Sequence, residues 1–251
     1  MTLQIKNITH AFRVSKKILD NVSFELEQNR VYALMGANGS GKTTLFNIIT
    51  GFIKPQSGNA FFNSSRIDGL PPHKINRLGV GRTFQDLRLI SKLTVKENVL
   101  LAMNHNPTQA WYKAVLPRPI YRSEIRALEE KAEEIIKTCF LQDVTFRMAE
   151  QISYGQQKLL NLACCIANDA EMLLLDEPIA GINPHYQERV LDLLKRVRSH
   201  GKTVFLIEHN TEFLQQVAGG FFFLTAGKLR TYDTYVQLKN DKEVLGAYLQ
   251  V

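Results

Sequence analysis

Apolar residues recur along the chain with two spacings, one typical of strands and the other of helices. Residues 3–8 and 22–26 alternate apolar with polar positions, which predicts strands with one buried face. Val31–Met35 is a continuous apolar run and predicts a strand buried on both faces. Similar short runs predict further strands at 60–62, 172–175, 203–207 and 221–224.

The middle of the chain changes to helical spacing. Val95, Val99, Leu100 and Met103 share one helical face, and residues 122–141 form a charged amphipathic pattern. The segment 104–119 contains three prolines and is predicted to be a loop. Further helices are predicted at 43–50, 154–168, 188–197, 213–217 and 244–249.

Strands and helices alternate after residue 170, which indicates an α/β fold with a mostly parallel sheet. We expect a single domain over 1–251. Its core would comprise about 1–85 and 158–226, with a helical insert at about 86–157 and a tail at 227–251.

Composition narrows the class of protein. The 251 residues are 45% hydrophobic and 22% charged, which is enough apolar material for a packed core. No apolar run approaches the ~18–20 residues that span a bilayer, and the polar N-terminus does not resemble a signal peptide. The three cysteines, Cys139, Cys164 and Cys165, are expected to be core thiols. Lys and Arg (31) outnumber Asp and Glu (24), so the formal net charge is +7. The basic residues are scattered along the chain, which favours a solvated basic surface over a peripheral membrane contact.

Residues 36–43 fit the phosphate-loop pattern G-x-x-x-x-G-K-[ST] between a predicted strand and a predicted helix. Backbone N–H groups of such a loop surround phosphate oxygens, Lys42 can reach the β- and γ-phosphates, and Thr43 can ligate Mg²⁺. The alternative is a glycine turn that matches by chance. We expect nucleotide contacts from Gly36, Ala37, Asn38, Gly39, Ser40, Gly41, Lys42, Thr43 and Thr44.

The strand predicted at 172–175 runs into two carboxylates. The carboxyl ends of parallel strands line the ligand crevice of an α/β sheet. Asp176 is placed to hold Mg²⁺, and Glu177 is the natural general base for an attacking water molecule. The alternative, a surface acidic turn, loses weight beside a phosphate loop.

Residues 152–157 (I-S-Y-G-Q-Q) resemble the signature sequence of the ABC transporter ATP-binding subunits, with Tyr154 in place of a glycine. In that family this helix terminus contacts the ATP held by the phosphate loop of the other subunit. The resemblance assigns this contact to Ser153, Gly155 and Gln156. A plain helix cap by Ser153 is the alternative.

Further positions match the same family. Gln85 resembles the glutamine that senses Mg²⁺ and the attacking water, His209 the histidine at the γ-phosphate, and Phe12 the aromatic residue that stacks on adenine. Residues 180–183 lie where the family has its D-loop, and Asn183 replaces the usual aspartate.

The resemblance implies a P-loop ABC ATPase core with an N-terminal antiparallel β subdomain and a helical subdomain. It implies ATP and Mg²⁺ as cofactors, with the metal held by Thr43, Gln85 and Asp176 and catalysis by Glu177, His209 and Gln85. The subunit would act as a homodimer or with a paralogous ATPase, joined to transmembrane permease subunits. It would lie in the cytoplasm against the inner face of the membrane, and no nucleic-acid partner is expected.

Four stretches, at 82–85, 154–157, 177–184 and 244–249, look like the branched-chain amino acid importer ATPases. Urea importer and lipopolysaccharide exporter ATPases share several of them. A soluble non-transport ABC protein and a regulator that no longer hydrolyses ATP are the remaining alternatives. The permease is expected to dock near Gln85 and 86–111, where Leu87, Leu89 and Ile90 could instead pack into the insert's own core.

Overall fold

Ten strands form two sheets in the part of the chain that the computed structural model describes, residues 3–13, 16–85, 87–103 and 122–249. The strands are β1 (Leu3–Arg13), β2 (Lys16–Leu26), β3 (Val31–Met35), β4 (Ser57–Phe62), β5 (Ser65–Arg66), β6 (Val80–Arg82), β7 (Met172–Asp176), β8 (Thr203–Ile207), β9 (Gly220–Thr225) and β10 (Lys228–Tyr232). The helices are α1 (Lys42–Ile49), α2 (Pro72–Arg77), α3 (Val95–Ala102), α4 (Arg122–Thr138), α5 (Tyr154–Ala167), α6 (Pro184–Ser199), α7 (Thr211–Val217), α8 (Tyr235–Lys239) and α9 (Lys242–Leu249). Asp86 and the loop predicted at 104–119 lie outside the described residues.

The larger sheet has the strand order β10-β9-β3-β8-β7-β6, and all neighbours are parallel except the pair β10 and β9. This confirms the predicted mostly parallel sheet. Strands β3, β7 and β8 are buried at every residue, as continuous apolar runs require. Their carboxyl ends lie side by side at one edge of the sheet.

The smaller sheet is antiparallel, with the order β2-β1-β4-β5. Its side-chain alternation shifts at Asn7, which has a φ of 53° beside a register shift in the pairing of β1 with β2. After a bulge of this kind, the buried face of the strand changes from odd-numbered to even-numbered residues. Leu3 and Ile5 are therefore buried before the bulge, and Ile8 and His10 are buried after it.

The two sheets share one hydrophobic core in which four aromatic rings meet. Phe24 of β2 packs against Phe205 of β8 and Phe222 of β9, with ring centroids 5.7 and 5.2 Å apart. Phe46 of α1 contacts the ring of Phe205 at 5.2 Å. Tilted aromatic pairs at this spacing add to the hydrophobic burial, and they fix α1 beneath the sheet.

The chain divides into two compact units. The first comprises Met1–Arg82, Glu171–Glu177 and Leu194–Val251 and holds both sheets. The second comprises Thr83–Ala170 and Pro178–Leu193, contains α3, α4, α5 and the start of α6, and has no strand among its described residues. The range 86–157, predicted to be a helical insert, falls within this unit.

Most predicted elements are present, with ends that move by a few residues. Short elements were not predicted, among them the three-residue strand β6, the six-residue helix α2 and the edge strand β10. β6 and α2 are too short to show a repeated hydrophobic spacing, and β10 is a mostly exposed strand with no apolar run. Cys139 and Cys165 are buried, all three cysteines are free thiols, and burial raises the pKa of Cys164 to about 12. None of the described helices combines the length and the apolar character that a membrane crossing needs.

Candidate functional site

β3 leads directly into the loop 36–41, where two glycines are required by conformation and by space. Gly36 has a φ of 145° and Gly41 a φ of 108°. A Cβ at Gly36 would lie 2.2 Å from the carbonyl oxygen of Leu224, and one at Gly41 would lie 2.8 Å from Ile18 Cγ2. No other residue fits either position without moving backbone.

α1 begins at Lys42 with an N-terminus suited to an anion. Gly41 offers no side-chain cap, and the first turn, which is fully described, contains no acidic residue. In the same described segment, Ser40 Oγ is buried without a hydrogen-bond partner. Uncapped N–H groups at the positive end of a helix dipole bind phosphate oxygens readily.

The Lys42 ammonium is folded into the loop. Its Nζ donates to the carbonyl oxygens of Gly36 at 2.7 Å and of Ala37 at 3.0 Å. Burial lowers the pKa of Lys42, and the nearby carboxylates of Glu177 and Asp176 oppose that shift. The structure therefore brings the phosphate-loop lysine and the acidic strand end together, as the sequence predicted.

β7 ends at Asp176, which is buried, and Glu177 follows with a φ of 50°. A left-handed conformation at a residue other than glycine costs about 1–3 kcal/mol. The Glu177 N–H donates to the Ile207 carbonyl at 3.0 Å and so fixes that backbone position at the end of β8. Strain held at a sheet edge beside charged groups is common at functional sites.

His209 completes this cluster. Its Nε2 lies 3.7 Å from Glu177 Oε1, and the buried Glu208 carboxylate accepts the His209 N–H at 2.9 Å. Burial lowers the pKa of His209, Lys42 lowers it further, and Glu177 acts in the opposite direction. The neutral imidazole, with one N–H donor, is therefore favoured at neutral pH.

Arg82 was not singled out from the sequence as a site residue, although it belongs to this cluster. Its guanidinium Nη2 lies 3.7 Å from Asp176 Oδ2, and both side chains are buried. Nη1 donates to Asn47 Oδ1 at 2.7 Å and to Thr50 Oγ1 at 2.9 Å. Arg82 thus ties Asp176 to the end of α1. The sequence signal that could have identified Arg82 is its position as the one charged residue of β6, at the end of that strand.

Phe12, the predicted adenine-stacking residue, is exposed over 64% of its surface on β1. The strand pair that carries it lies beside the phosphate loop, because His10 pairs with Leu19 on β2, and Ile18 and Leu19 of that strand face Gly41. His10 packs edge-on against the Phe12 ring at 4.9 Å. An exposed aromatic face is therefore available on the same unit as Lys42.

The remaining predicted residues, Gln85, Ser153, Gly155 and Gln156, belong to the second unit. Gln85 lies exposed in a bend. Ser153 is the N-cap of α5: its Oγ accepts the Gln156 N–H at 3.3 Å, and the Gln156 side chain accepts the Ser153 N–H at 2.9 Å. This reciprocal capping box shows that the cap alternative for Ser153 holds, and it does not exclude a phosphate contact.

The two departures from the family pattern both have structural roles in the second unit. Asn183 Oδ1 accepts the Tyr186 N–H at 3.1 Å in the first turn of α6, a cap that an amide makes as well as a carboxylate. The Tyr154 ring lies against Gly181, where a Cβ would be 3.3 Å from Cε1. Tyr186, which was not singled out from the sequence, contacts Gly155 and Ser153.

Comparison with known proteins agrees with this geometry. Residues 19–180 match the family model described as ABC transporter. The high-affinity branched-chain amino acid transport ATP-binding protein LivG of Salmonella typhimurium is 34% identical over 233 residues, which cover 92% of this chain and 91% of LivG. BraF of Pseudomonas aeruginosa, of the same description, is 34% identical over 232 residues, 92% of this chain and 91% of BraF.

Solved structures show the same fold. The ADP conformation of MJ1267, an ATP-binding cassette of an ABC transporter, superposes with a TM-score of 0.83 at 27% identity, covering 100% of this chain and 99% of that one. The dimeric bacterial ABC transporter cassette MJ0796 gives a TM-score of 0.76 at 25% identity, covering 92% and 98%. These likenesses confirm the predicted P-loop ABC ATPase core with its antiparallel and helical subdomains.

A phosphate loop, an acidic strand end and a neighbouring histidine therefore occur in a chain whose relatives are ATP-binding transport proteins over nearly their whole length. The chain belongs to the ABC transporter family, as an ATP-binding and ATP-hydrolysing subunit.

Proposed function

We propose that this subunit hydrolyses Mg·ATP as one half of a dimer and drives the import of branched-chain amino acids, or a similar small polar solute, through membrane-embedded permease subunits. One observation carries the catalytic part: Lys42, Asp176, Glu177 and His209 gather at the adjacent carboxyl ends of β3, β7 and β8. The cargo rests on the names of LivG and BraF.

ATP binds through its phosphates and its base. The loop 36–41 and the uncapped start of α1 supply N–H donors for the phosphate oxygens. Lys42 Nζ reaches the β- and γ-phosphates by exchanging its two carbonyl contacts, and the buried Ser40 hydroxyl gains a partner. Phe12 offers its exposed face to adenine, so both ends of the nucleotide are held by the first unit.

The oxygen donors near the phosphate loop fit Mg²⁺, which prefers carboxylate, hydroxyl and amide oxygens. The Thr43 hydroxyl is exposed in the first turn of α1, and the Asp176 carboxylate is held by Arg82 at the end of β7. The family resemblance assigns a third oxygen to Gln85, which belongs to the second unit. When bound, the metal neutralises charge on the phosphates.

Glu177 acts as the general base. A water oxygen attacks the γ-phosphorus, the bond from that phosphorus to the β–γ bridging oxygen breaks, and the water proton passes to the Glu177 carboxylate. His209, neutral because its pKa is lowered, donates one N–H to the γ-phosphate and helps to orient the water. The left-handed backbone at Glu177 sets the direction of its carboxylate.

The second half of each site comes from the other subunit of the dimer. The N-terminus of α5 carries Ser153, Gly155 and Gln156, whose hydroxyl and N–H groups would contact the γ-phosphate of the nucleotide on the partner. The dimeric MJ0796 cassette supports assembly in pairs. Closure would then leave the water beside Glu177 as the only attacking molecule.

Exposed apolar side chains in the second unit favour a permease docking surface. The segment 145–150 runs beside 91–96 through backbone hydrogen bonds such as Val95 N to Arg147 O at 3.0 Å. In the second of these segments Phe146 is 80% exposed and Met148 38%, and Ile90, just before the first segment, is 45% exposed. Exposed apolar side chains of this kind suit a helix of a partner.

Glu177→Gln tests the catalytic proposal. The variant should lose ATP turnover by about 10²–10⁴-fold, the usual loss for a general base, while it retains ATP binding. Because bound ATP then persists, it should migrate as a dimer in saturating Mg·ATP on size-exclusion chromatography.

Glu212→Gln, which changes an exposed glutamate of α7, is the matched control and should behave like the natural protein. A Glu177→Gln protein that stays monomeric in Mg·ATP and still hydrolyses it at the normal rate would refute the proposal.

A further inference from the structure

Tyr186 occupies the first turn of α6 directly against the start of α5. Its hydroxyl lies 3.3 Å from Ser153 Oγ, and its ring covers Gly155. All of these residues belong to the second unit. Tyr186 has no role in the proposed ATP site so far, although it touches Ser153 and Gly155, two of the three residues assigned to the phosphate on the partner.

The Tyr186 ring explains why residue 155 is a glycine. Gly155 is helical, so its backbone does not demand glycine. A Cβ at this position would lie 2.4 Å from Cδ2 and 2.7 Å from Cγ of Tyr186. Such contacts do not occur between real atoms, so the ring and the missing side chain fit one another, and the ring sets how closely α6 approaches the α5 terminus.

The hydroxyl contact can fix the direction of the Ser153 hydrogen, because either oxygen of the pair is able to donate. A serine hydroxyl has one hydrogen to donate and two lone pairs. Ser153 Oγ already accepts the Gln156 N–H at 3.3 Å. If the Tyr186 hydroxyl donates to the second lone pair, the Ser153 hydrogen remains available for a phosphate oxygen.

Tyr186 is itself held from several sides. The Asn183 side chain accepts its N–H, and the Arg189 guanidinium lies over its ring at 5.4 Å. Arg189 also lies over Phe140 at 5.5 Å. Tyr154, next to Ser153, touches Gly181 at the other end of the same loop. The start of α5 and the 181–186 segment therefore contact each other at two points.

We propose that Tyr186 is a positioning residue for the phosphate-contacting terminus of α5, where its ring sets the position of Gly155 and its hydroxyl, by donating to Ser153 Oγ, fixes the direction of the Ser153 hydrogen toward the γ-phosphate. The inference rests on the proposed role of Ser153. It also connects the loop around Asn183 to the phosphate contact.

The test compares Ser153→Ala, Tyr186→Phe and the double variant by kcat, KM and ATP affinity of the separate subunit. Tyr186→Phe keeps the ring and removes one hydrogen bond, so kcat should fall about 3–10-fold. ATP affinity of the separate subunit should not change, because Lys42 and Phe12 are untouched. The double variant should be no slower than Ser153→Ala alone, because both act on the same hydroxyl.

Tyr235→Phe is the matched control, a half-buried tyrosine of α8 in the first unit, and should leave kcat unchanged. The ring contact has its own test in Glu177→Gln protein. There, Gly155→Ala should prevent the ATP-dependent dimer, and adding Tyr186→Ala should restore part of it by making room for the new methyl group.

The outcomes separate the two proposals. A slower Ser153→Ala with an unchanged Tyr186→Phe, or effects of the two that multiply in the double variant, would overturn the role of Tyr186 alone. An unchanged Ser153→Ala would overturn the phosphate contact of Ser153 and the inference built upon it.

Discussion

His209 is held in its neutral form by burial and by the Lys42 ammonium, although a carboxylate lies 3.7 Å from its ring. Burial is the largest cause of its lowered pKa, Lys42 is the second, and Glu177 partly offsets both. A histidine beside a carboxylate is usually expected to have a raised pKa. Here the nearby ammonium and the burial outweigh that attraction, so His209 donates one N–H without carrying a charge.

The His209 pKa should therefore move in opposite directions in two variants. Glu177→Gln removes the opposing charge and should lower the pKa further, and Lys42→Ala removes a cation and should raise it. NMR titration of the His209 ring protons, assigned by comparison with His209→Gln, measures both. A pKa above 6.5 in the natural protein, or a fall in Lys42→Ala, would contradict this electrostatic picture.

The same shift predicts how stability depends on pH. The pKa in the folded state lies below the unfolded value of 6.5, so the unfolded chain binds more protons as pH falls through 6.5. The free energy of unfolding should drop in that window by more in the natural protein than in His209→Gln. Urea unfolding of both proteins at neutral pH and at about pH 5 measures this. The other titratable groups are the same in both proteins, so their contributions cancel when the two changes in the free energy of unfolding are subtracted.

Helices and strands were predictable from the sequence where their pattern involves only neighbouring residues. The apolar runs of β3, β7 and β8, the glycines of the phosphate loop and the Ser153 cap are properties of neighbouring residues. The contact of Arg82 with Asp176 was not predictable in this way, because β6 and β7 are adjacent in the sheet but far apart in sequence. The Gly155–Tyr186 contact was missed for the same reason, since it joins α5 to α6.

The bulge in β1 is an intermediate case. The alternation of apolar and polar residues is interrupted between Ile5 and Ile8, which is visible in the sequence. The strand predicted at 3–8 nevertheless continues across this interruption. The left-handed backbone at Asn7 absorbs the extra residue, and asparagine tolerates that conformation better than most residues do. Through it β1 continues to Arg13, and Phe12 lies in line with His10 on a strand instead of in a loop.

The backbone of residues 90–94 is held by hydrogen bonds to one side chain. The buried Asn98 accepts the Ile90 N–H at 2.9 Å and donates to the carbonyl oxygens of Ile90, Leu93 and Thr94. These bonds hold the backbone without the side chains of Leu89 and Ile90. Leu89 is half-buried, and Ile90 is 45% exposed. This favours docking over core packing for them.

Leu89→Glu and Ile90→Glu should abolish leucine uptake by membranes that contain the permease, while basal ATP hydrolysis and the thermal unfolding temperature remain near normal. Val236→Glu, on the exposed face of α8, is the control for an added charge and should transport normally. If the two variants unfold, the side chains pack into a core; if uptake continues, the permease docks elsewhere.

At the scale of the whole molecule, the residues assigned to one ATP are divided between two compact units. The first carries Phe12, Lys42, Asp176, Glu177 and His209, and the second carries Gln85, Ser153, Gly155 and Gln156. In the proposed symmetric dimer each subunit would present both sets, so two identical sites would form, each from the phosphate loop of one chain and the α5 terminus of the other. The proposal therefore requires that each ATP is hydrolysed between two subunits.

A mixture of two inactive variants tests directly whether two subunits share one ATP site. Lys42→Ala removes the phosphate contact of the first unit, and Ser153→Arg blocks the α5 terminus, so each alone should form no working site. In an equal mixture, half of the dimers combine one of each and contain one intact site. Steady-state ATP hydrolysis should then recover to about a quarter of the natural rate if sites act independently. A mixture as inactive as its components, although both variants fold and Ser153→Arg still binds ATP, would contradict a site shared between two subunits.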